Sequence, residues 1–390
     1  MPLRCMGTLQ GMAKPITFKQ FTGVNNQTSA DDMAPADLAA CVNFDVNDAG
    51  ALVSRPGLES VWTGADAHSL HGHDGALFFR AADKLYRLAG GVAAVVDTGL
   101  DGATCFASAP QGLFYSDGQR CRVYAGGAAA PWGLPPPSFS VSGAPGTSLV
   151  TAVYLRDGME SGAATPAAAG DTAVVDIPAH PEATHKAVYL SKPGGTVLYR
   201  AAVVPAGHGP VTVNASMATG PALETLHKTP PPGHEVSAIW NGRALVGAGR
   251  FLLYSDPFRF DLFDPLRQAV PFPSDVTLLV AVSPQALIVG TDSAIYRLAG
   301  ADISAASISQ IADFGAVRGA GVRVDASVFP DAGQSVGVVF AAHGGFCFAG
   351  ADGGVANLSG ARFRPGRFIS GSAAFSRKPG NHSVVFTIRK

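Results

Sequence analysis

The chain has 390 residues, of which 47% are hydrophobic and only 15% charged, which excludes a disordered or highly charged chain and leaves room for two or three domains. Its formal net charge of −1 excludes a protein built to hold nucleic acid statically, because phosphate contacts call for a basic excess. The five cysteines (Cys5, Cys41, Cys105, Cys121 and Cys347) are odd in number and never at CxxC spacing, so neither a zinc site nor a disulfide framework is expected. They read as reduced, mostly buried small hydrophobes.

In chain order, residues 1–18 form an N-terminal arm without an apolar h-region, and no run of about 18 apolar residues follows. Neither a secretory leader nor a membrane span is expected, and the chain reads as made in the cytoplasm. One short helix-like pattern, "APADLAACVNF", surrounds Leu38. Beyond it the text is apolar runs of four to seven residues closed by Gly, Asp-Gly or Pro, as in "ALFFRAADKLYRLAGG" and "GLFYSDGQRCRVYAGG". Asp117-Gly118, Gly344-Gly345 and Asp352-Gly353 supply the positive φ that hairpin turns need. The expected class is all-β.

Two strands are written twice. "LYRLAG" at Leu85–Gly90 returns as "IYRLAG" at Ile295–Gly300, and "LFYSDG" at Leu113–Gly118 is echoed by "LLYSDP" at Leu252–Pro257. A recurring sheet motif of this size predicts a β-propeller with blades of roughly 40–45 residues. Two proline runs, "LPPPSF" from Leu134 and "TPPPG" from Thr229, bracket a segment of different texture. It holds about seven short strands, the size of an immunoglobulin-like or fibronectin type III-like sandwich. Without it the two "YRLAG" strands lie about 115 residues apart, close to three blades.

The predicted organisation is therefore a propeller over 19–134 and 233–390, interrupted by a sandwich over 135–232. Stiff proline connectors would let the sandwich stand out from its host. About six or seven blades are expected, with Asn43–Leu58 contributing to the closing one.

The search for chemistry assigns no catalytic, cofactor-binding or metal-ligating residue, and no cofactor is expected. His71, His73 and Asp74 in "HGHDG" come nearest to a metal cluster, but Gly72 and Gly75 break the strand and no further ligand set completes it. They read as turn residues. Asp31-Asp32 and the group Asp256, Asp261 and Asp264 read as solvated loop charges, the latter group with an interface loop as an equal alternative. Arg362, Arg364 and Arg367 form a small basic, aromatic cluster that suits either phosphate contact or solvated strand ends. The stretches at Asp331 and Gly350 read as turns, and Ser370 lies in a strand without triad partners.

The stretch Phe21 to Leu58 is more specific. Its Gly23, Asn25 and Asn26, followed by Asn43, Asp45, Val46, Gly50, Leu52, Arg55, Pro56 and Gly57, resemble the opening of bacteriophage tail nozzle or tail-hub proteins of short-tailed phages. The insert and the return "SAIWNGRALVGAGRFLLYSDPFRFDLFDP" agree with the same family, so the resemblance covers about residues 19–300. It implies a structural virion protein, not an enzyme, assembled as a homohexameric ring below the head–tail connector. The ring would retain and then conduct the genome, touching DNA only transiently, and would anchor tail fibres or spikes. It implies no stable membrane association. A near-neutral chain suits a conduit, since strong phosphate contacts would retard passage. Ring closure by identical subunits needs two different faces, and an inserted domain supplies one.

Two readings from other classes stand beside it. One is a receptor- or glycan-binding propeller of a fibre or baseplate, disfavoured by only three tryptophans, Trp62, Trp132 and Trp240. The other is a polysaccharide-cleaving propeller enzyme, which needs acids converging around the channel.

Overall fold

A computed structural model describes residues 20–389 apart from 48, 56, 58, 326–335, 367, 379 and 380. The arm 1–18, Pro56, Leu58, Arg367 and most of the stretch at Asp331 lie outside the described residues. The described chain is all-β, with two short 3-10 turns at Ala215–Met217 and Ile303–Ala305.

Five antiparallel sheets follow the order expected of propeller blades. Blade 1 is built from His68–His73, Ala76–Ala81, Lys84–Ala89 and Val92–Thr98, and blade 2 from Cys105–Ala109, Gly112–Ser116, Cys121–Ala125 and Ala128–Pro131. Blade 3 runs Val236–Trp240, Arg243–Ala248 and Phe251–Asp256, the last pairing both Arg259–Phe263 and Ala269–Pro271. Blade 4 holds Val276–Ser283, Ala286–Thr291, Ile295–Ala299 and Ser307–Ala312. Blade 5 holds Ala316–Val324, Gly337–Ala342, Gly345–Gly350 and Val355–Asn357.

The sixth position is taken by a two-stranded hairpin, Ser370–Lys378 with Asn381–Arg389, which joins blade 5 through the parallel bridge Arg318–Ser370. The first strands of the six units touch in succession, and the hairpin's first strand touches that of blade 1. The ring is closed. The segment expected to help close it does not join a blade among the described residues: there Phe44–Val46 and Leu52–Ser54 pair only with each other.

Close packing between blades explains the sequence texture. Gly112–Ser116, Ala286–Thr291 and Gly337–Ala342, the second strands of three blades, are buried at every residue. A strand covered on both faces has no polar side to alternate with. Blades 1 and 2 meet over Phe78, Leu85, Leu113 and Tyr115; blades 3 and 4 over Trp240, Leu252, Leu287 and Tyr296. The turns obey local chemistry: Asp74-Gly75 (φ 46° and 68°) and Asn241-Gly242 (φ 47° and 74°) link first to second strands, as type I′ hairpins require.

The "YRLAG" repeat is structural, because both copies form the third strand of their blades, in blades 1 and 4. The second echo is not. "LFYSDG" is the second strand of blade 2, whereas "LLYSDP" is the third strand of blade 3. The helix-like pattern at Leu38 forms no helix either. Asp37–Leu38 pairs in parallel with Gly23–Val24, and the Asp37 carboxylate is taken by Thr22 and Asn25.

Between blades 2 and 3 the chain builds two sheets facing one core. One sheet is Ser140–Gly143, Thr172–Asp176 and Val211–Asn214; the other is Ser148–Arg156, with Met159–Glu160 and Ala167–Ala169, then His185–Ser191 and Leu198–Pro205. Val150, Ala152 and Val188 pack against Ala173, Val175 and Val213 across it. The outer face of the second sheet is also covered, with Leu223 and Leu226 of the returning chain against Val153, Ala187 and Tyr189.

This unit does not stand away on its proline connectors, as expected, but is pinned. Thr229 and Phe263 exchange both backbone hydrogen bonds, and Arg156 Nη2 donates to the Pro131 carbonyl at 3.2 Å. A Cβ on Gly162 would overlap the Lys228 carbonyl oxygen, so only glycine lets these backbones meet.

Candidate functional site

The residues of the Gly-x-Asn-Asn stretch build a clasp. Asn25 is buried, and its Oδ1 accepts from the amides of Gln27 (3.0 Å) and Thr28 (3.1 Å). Its Nδ2 donates to Thr28 Oγ1 and, at 2.8 Å, to Asp37 Oδ2. Hydrogen bonds from Thr22 and Asn25 hold the Asp37 carboxyl below its usual range. With the local turn fixed, Asn26 reaches the loop that leads into the terminal hairpin. Its Nδ2 donates to the Arg364 carbonyl and its Oδ1 accepts from the Arg364 amide, both at 3.0 Å, while its own amide donates to the Arg362 carbonyl. Arg362 adds an ion pair to Asp37 at 3.6 Å. Arg362 and Arg364 thus meet the N-terminal segment, largely through their backbones.

The acids of "YSDPFRFDLFDP" are not solvated loop charges. Asp256 binds Lys228 (2.7 Å) and Gln268; Asp261 pairs with Arg259 (3.0 Å); and buried Asp264 caps the turn at Leu266 and Arg267. Arg259 Nη2 also donates to the Glu160 carbonyl at 2.5 Å, so this stretch is the seam between blade 3 and the inserted unit. The seam is where chain leaving and returning to the propeller needs satisfied polar partners. Asp31 and Asp32 remain exposed.

The histidine pair is placed in a way the sequence hides. His71 and His73 lie two apart on the first strand of blade 1, on one side of it. His71 Nε2 lies 2.8 Å and His73 Nδ1 3.2 Å from Ser108 Oγ, which belongs to the first strand of blade 2. His71 stacks on Phe106, with centroids 5.2 Å apart. Burial, with the charge of His73 as a lesser cause, pushes the His71 imidazole down to about 4. Asp74 is not bonded into the pair; it sits at the edge of an open cavity shared with His73, Ser108 and Pro110. Nothing in "CFASAP" marks Ser108 as a partner, since the contact exists only once the blades pack.

A second cluster lies where the chain returns to blade 3. His234 is buried, with Nδ1 2.8 Å from the Pro232 carbonyl and 3.6 Å from Cys121 Sγ, and its Nε2 has no hydrogen-bond partner among the described residues. Burial pushes the imidazole down to about 4 and the thiols of Cys105 and Cys121 up to about 12 and about 11. Cys41, Cys105, Cys121 and Cys347 form no disulfide among the described residues; three are half-buried and Cys347 is buried. Next to His234, Glu235 accepts from Arg318 of blade 5, a pair that spans the intervening blade 4 at the centre of the ring. Ser370 takes the strand position expected of it. Trp132 and Trp240 donate from Nε1 to the carbonyls of Phe260 and Ser283 and serve as packing anchors.

No protein-family model matches the chain, and no curated protein does. Solved structures do. The extracellular domain of a putative hybrid two-component system from B. thetaiotaomicron is 10% identical, with 84% of this chain and 39% of that one covered and a TM-score of 0.35. BBS1N, solved with ARL6DN, is 14% identical, with 85% and 95% covered and a TM-score of 0.36. AztD from Citrobacter koseri is 12% identical, with 84% and 76% covered and a TM-score of 0.35. The chain spans about two fifths of the length of the two-component extracellular domains it matches. The ring itself rests on the chain's own contacts between the first strands of successive units.

Proposed function

We propose that this chain is a structural protein of a phage tail, the nozzle or hub that forms a ring below the head–tail connector. The observation that carries the reading is the Gly23-x-Asn25-Asn26 stretch. These are the residues by which the sequence resembles nozzle proteins, and they tie the first described segment to the loop before the terminal hairpin. The ring is homohexameric, contacts the genome only transiently in its bore, and binds connector, fibre or spike proteins on its outside. The protein acts as conduit and gate rather than catalyst, in the virion. The inserted unit, read as fibronectin-like, is held rigidly on blade 3 and offers the second face that ring closure by identical subunits needs.

Light scattering and negative-stain imaging of the purified chain, with and without the portal-side adaptor, test this. Rings with a central hole, formed alone or on the adaptor, are the expected result. A monomer that ignores the adaptor at every concentration overturns it.

A further inference from the structure

We infer that His71 and His73 form a binding site for a divalent transition-metal ion of the imidazole-preferring class, copper, nickel or zinc, at the junction of blades 1 and 2. The inference does not depend on the tail reading.

Three observations bring the chemistry together. The two ring nitrogens, Nε2 of His71 and Nδ1 of His73, converge on a single point, the hydroxyl of Ser108. A hydroxyl has one proton to give, so one imidazole receives it and the other must supply its own N–H. A metal ion replaces that arrangement by taking a lone pair from each ring, with the remaining protons on His71 Nδ1 and His73 Nε2. Next, the ring planes are held by neighbours: His71 by stacking on Phe106, His73 by an edge contact with Phe78 at 6.1 Å. Finally, His73 and Ser108 open onto a cavity of about 390 Å³ that Asp74 also borders, with no Lys or Arg among the described residues lining it.

Among the described residues no group of three or more His, Cys, Asp or Glu is placed to hold an ion. The site is therefore a two-imidazole one, with Ser108 and water completing the shell, and its ion exchanges readily. Imidazole donors favour copper, nickel and zinc over magnesium or calcium.

The test uses the full-length untagged chain. Equilibrium dialysis against Ni2+ counts ions per chain, and electron paramagnetic resonance of the Cu2+ form reads its ligands. One ion per chain is expected, with two nitrogen ligands in the Cu2+ spectrum. His71→Asn and His73→Asn should each weaken binding at least tenfold and leave one nitrogen. Ser108→Ala, which removes the hydroxyl but keeps both rings, should still bind. Circular dichroism confirms that each variant folds; if His71→Asn does not, His73→Asn alone decides. No saturable binding, a Cu2+ spectrum showing sulfur or oxygen ligands only, or affinity unchanged in His73→Asn overturns the site.

Discussion

Asn26 and Arg364 stand 338 positions apart, yet the side-chain amide of one pairs with the backbone of the other through two 3.0 Å hydrogen bonds, one given and one received. An asparagine is the smallest side chain that can act as a peptide group in this way. An aspartate in its place could accept but not donate, and a leucine of equal size could do neither. The pair joins the N-terminal segment to the loop that starts the hairpin closing the ring.

The clasp has a measurable worth. Asn25→Ala removes a buried amide that makes four hydrogen bonds to three residues and should cost about 2–3 kcal/mol, the range for buried hydrogen-bonded groups. Asn26→Ala acts at an exposed site and should cost about 1 kcal/mol. Asn26→Asp should cost more than Asn26→Ala, because a carboxylate would face the Arg364 carbonyl. Urea unfolding measures all three. Equal stability of Asn25→Ala and wild type would remove the clasp as the reason for this stretch.

Glycine at the seam gives a second test. Gly162→Ala drives a methyl into the Lys228 carbonyl, and two backbones must separate to admit it. A loss of about 3 kcal/mol or more is expected. Gly158 is a matched control: its φ is 78° but no atom of the described residues lies within 4 Å of its missing Cβ, so Gly158→Ala pays only for conformation, about 1 kcal/mol. Thermal melts of the two variants should separate clearly. Coincident melts would mean that the inserted unit is not packed against its own returning chain at Lys228.

The fold was legible from the sequence where its signal is local and repeated. "YRLAG" marks a third strand twice because equivalent strands in equivalent blades meet equivalent neighbours. "LFYSD" and "LLYSD" share five letters of similar chemistry without sharing a place, since a buried strand with an Asp-capped turn is useful at more than one position in a blade. The number of blades was not readable, because the sixth unit is only a hairpin whose closure depends on contact with blade 1. The inserted unit was visible as a change of texture, but its pinning was not, for the Arg259–Glu160 contact joins residues 99 positions apart. The site residues follow the same rule. His71 and His73 announce a shared strand side, whereas Ser108 becomes their partner only through packing.

Buried His234 predicts acid sensitivity, and the sign is fixed by its direction of shift. The folded imidazole is pushed down to about 4, while an unfolded one titrates near 6.5. Between those values the unfolded chain binds the extra proton, so this contribution is complete above about pH 6.5 and is lost as pH falls toward 4. The full loss is about 3 kcal/mol, at about 1.36 kcal/mol for each pH unit of that window. His234→Gln is neutral throughout and should show a shallower fall over the same range. Urea midpoints of both proteins at half-unit pH steps check this. Parallel curves would mean that His234 is protonated in the folded chain and that its Cys121 and Pro232 neighbours accommodate the charge.

Arg259 decides how firmly the inserted unit is aimed. Its guanidinium grips Asp261 with Nε and Nη2, both at 3.0 Å, and with Nη2 also reaches the Glu160 carbonyl across the seam. Glu160 in turn accepts from the Tyr189 hydroxyl, inside the second sheet of the inserted unit. Arg259→Ala leaves the Asp261 carboxylate and the Glu160 carbonyl without this donor, for a loss of about 1–2 kcal/mol. The larger effect should be on orientation: amide hydrogen exchange should quicken at Met159–Glu160 and over 225–229, while the strands of blade 4 keep their protection. Arg259→Lys tests whether charge alone suffices; an ammonium lacks the planar fork and should restore only part of the protection. If Arg259→Ala exchanges like wild type, the Thr229–Phe263 backbone pair, the Arg156–Pro131 hydrogen bond and the Lys228–Asp256 ion pair hold the unit without it, and Arg259 adds nothing to its aim.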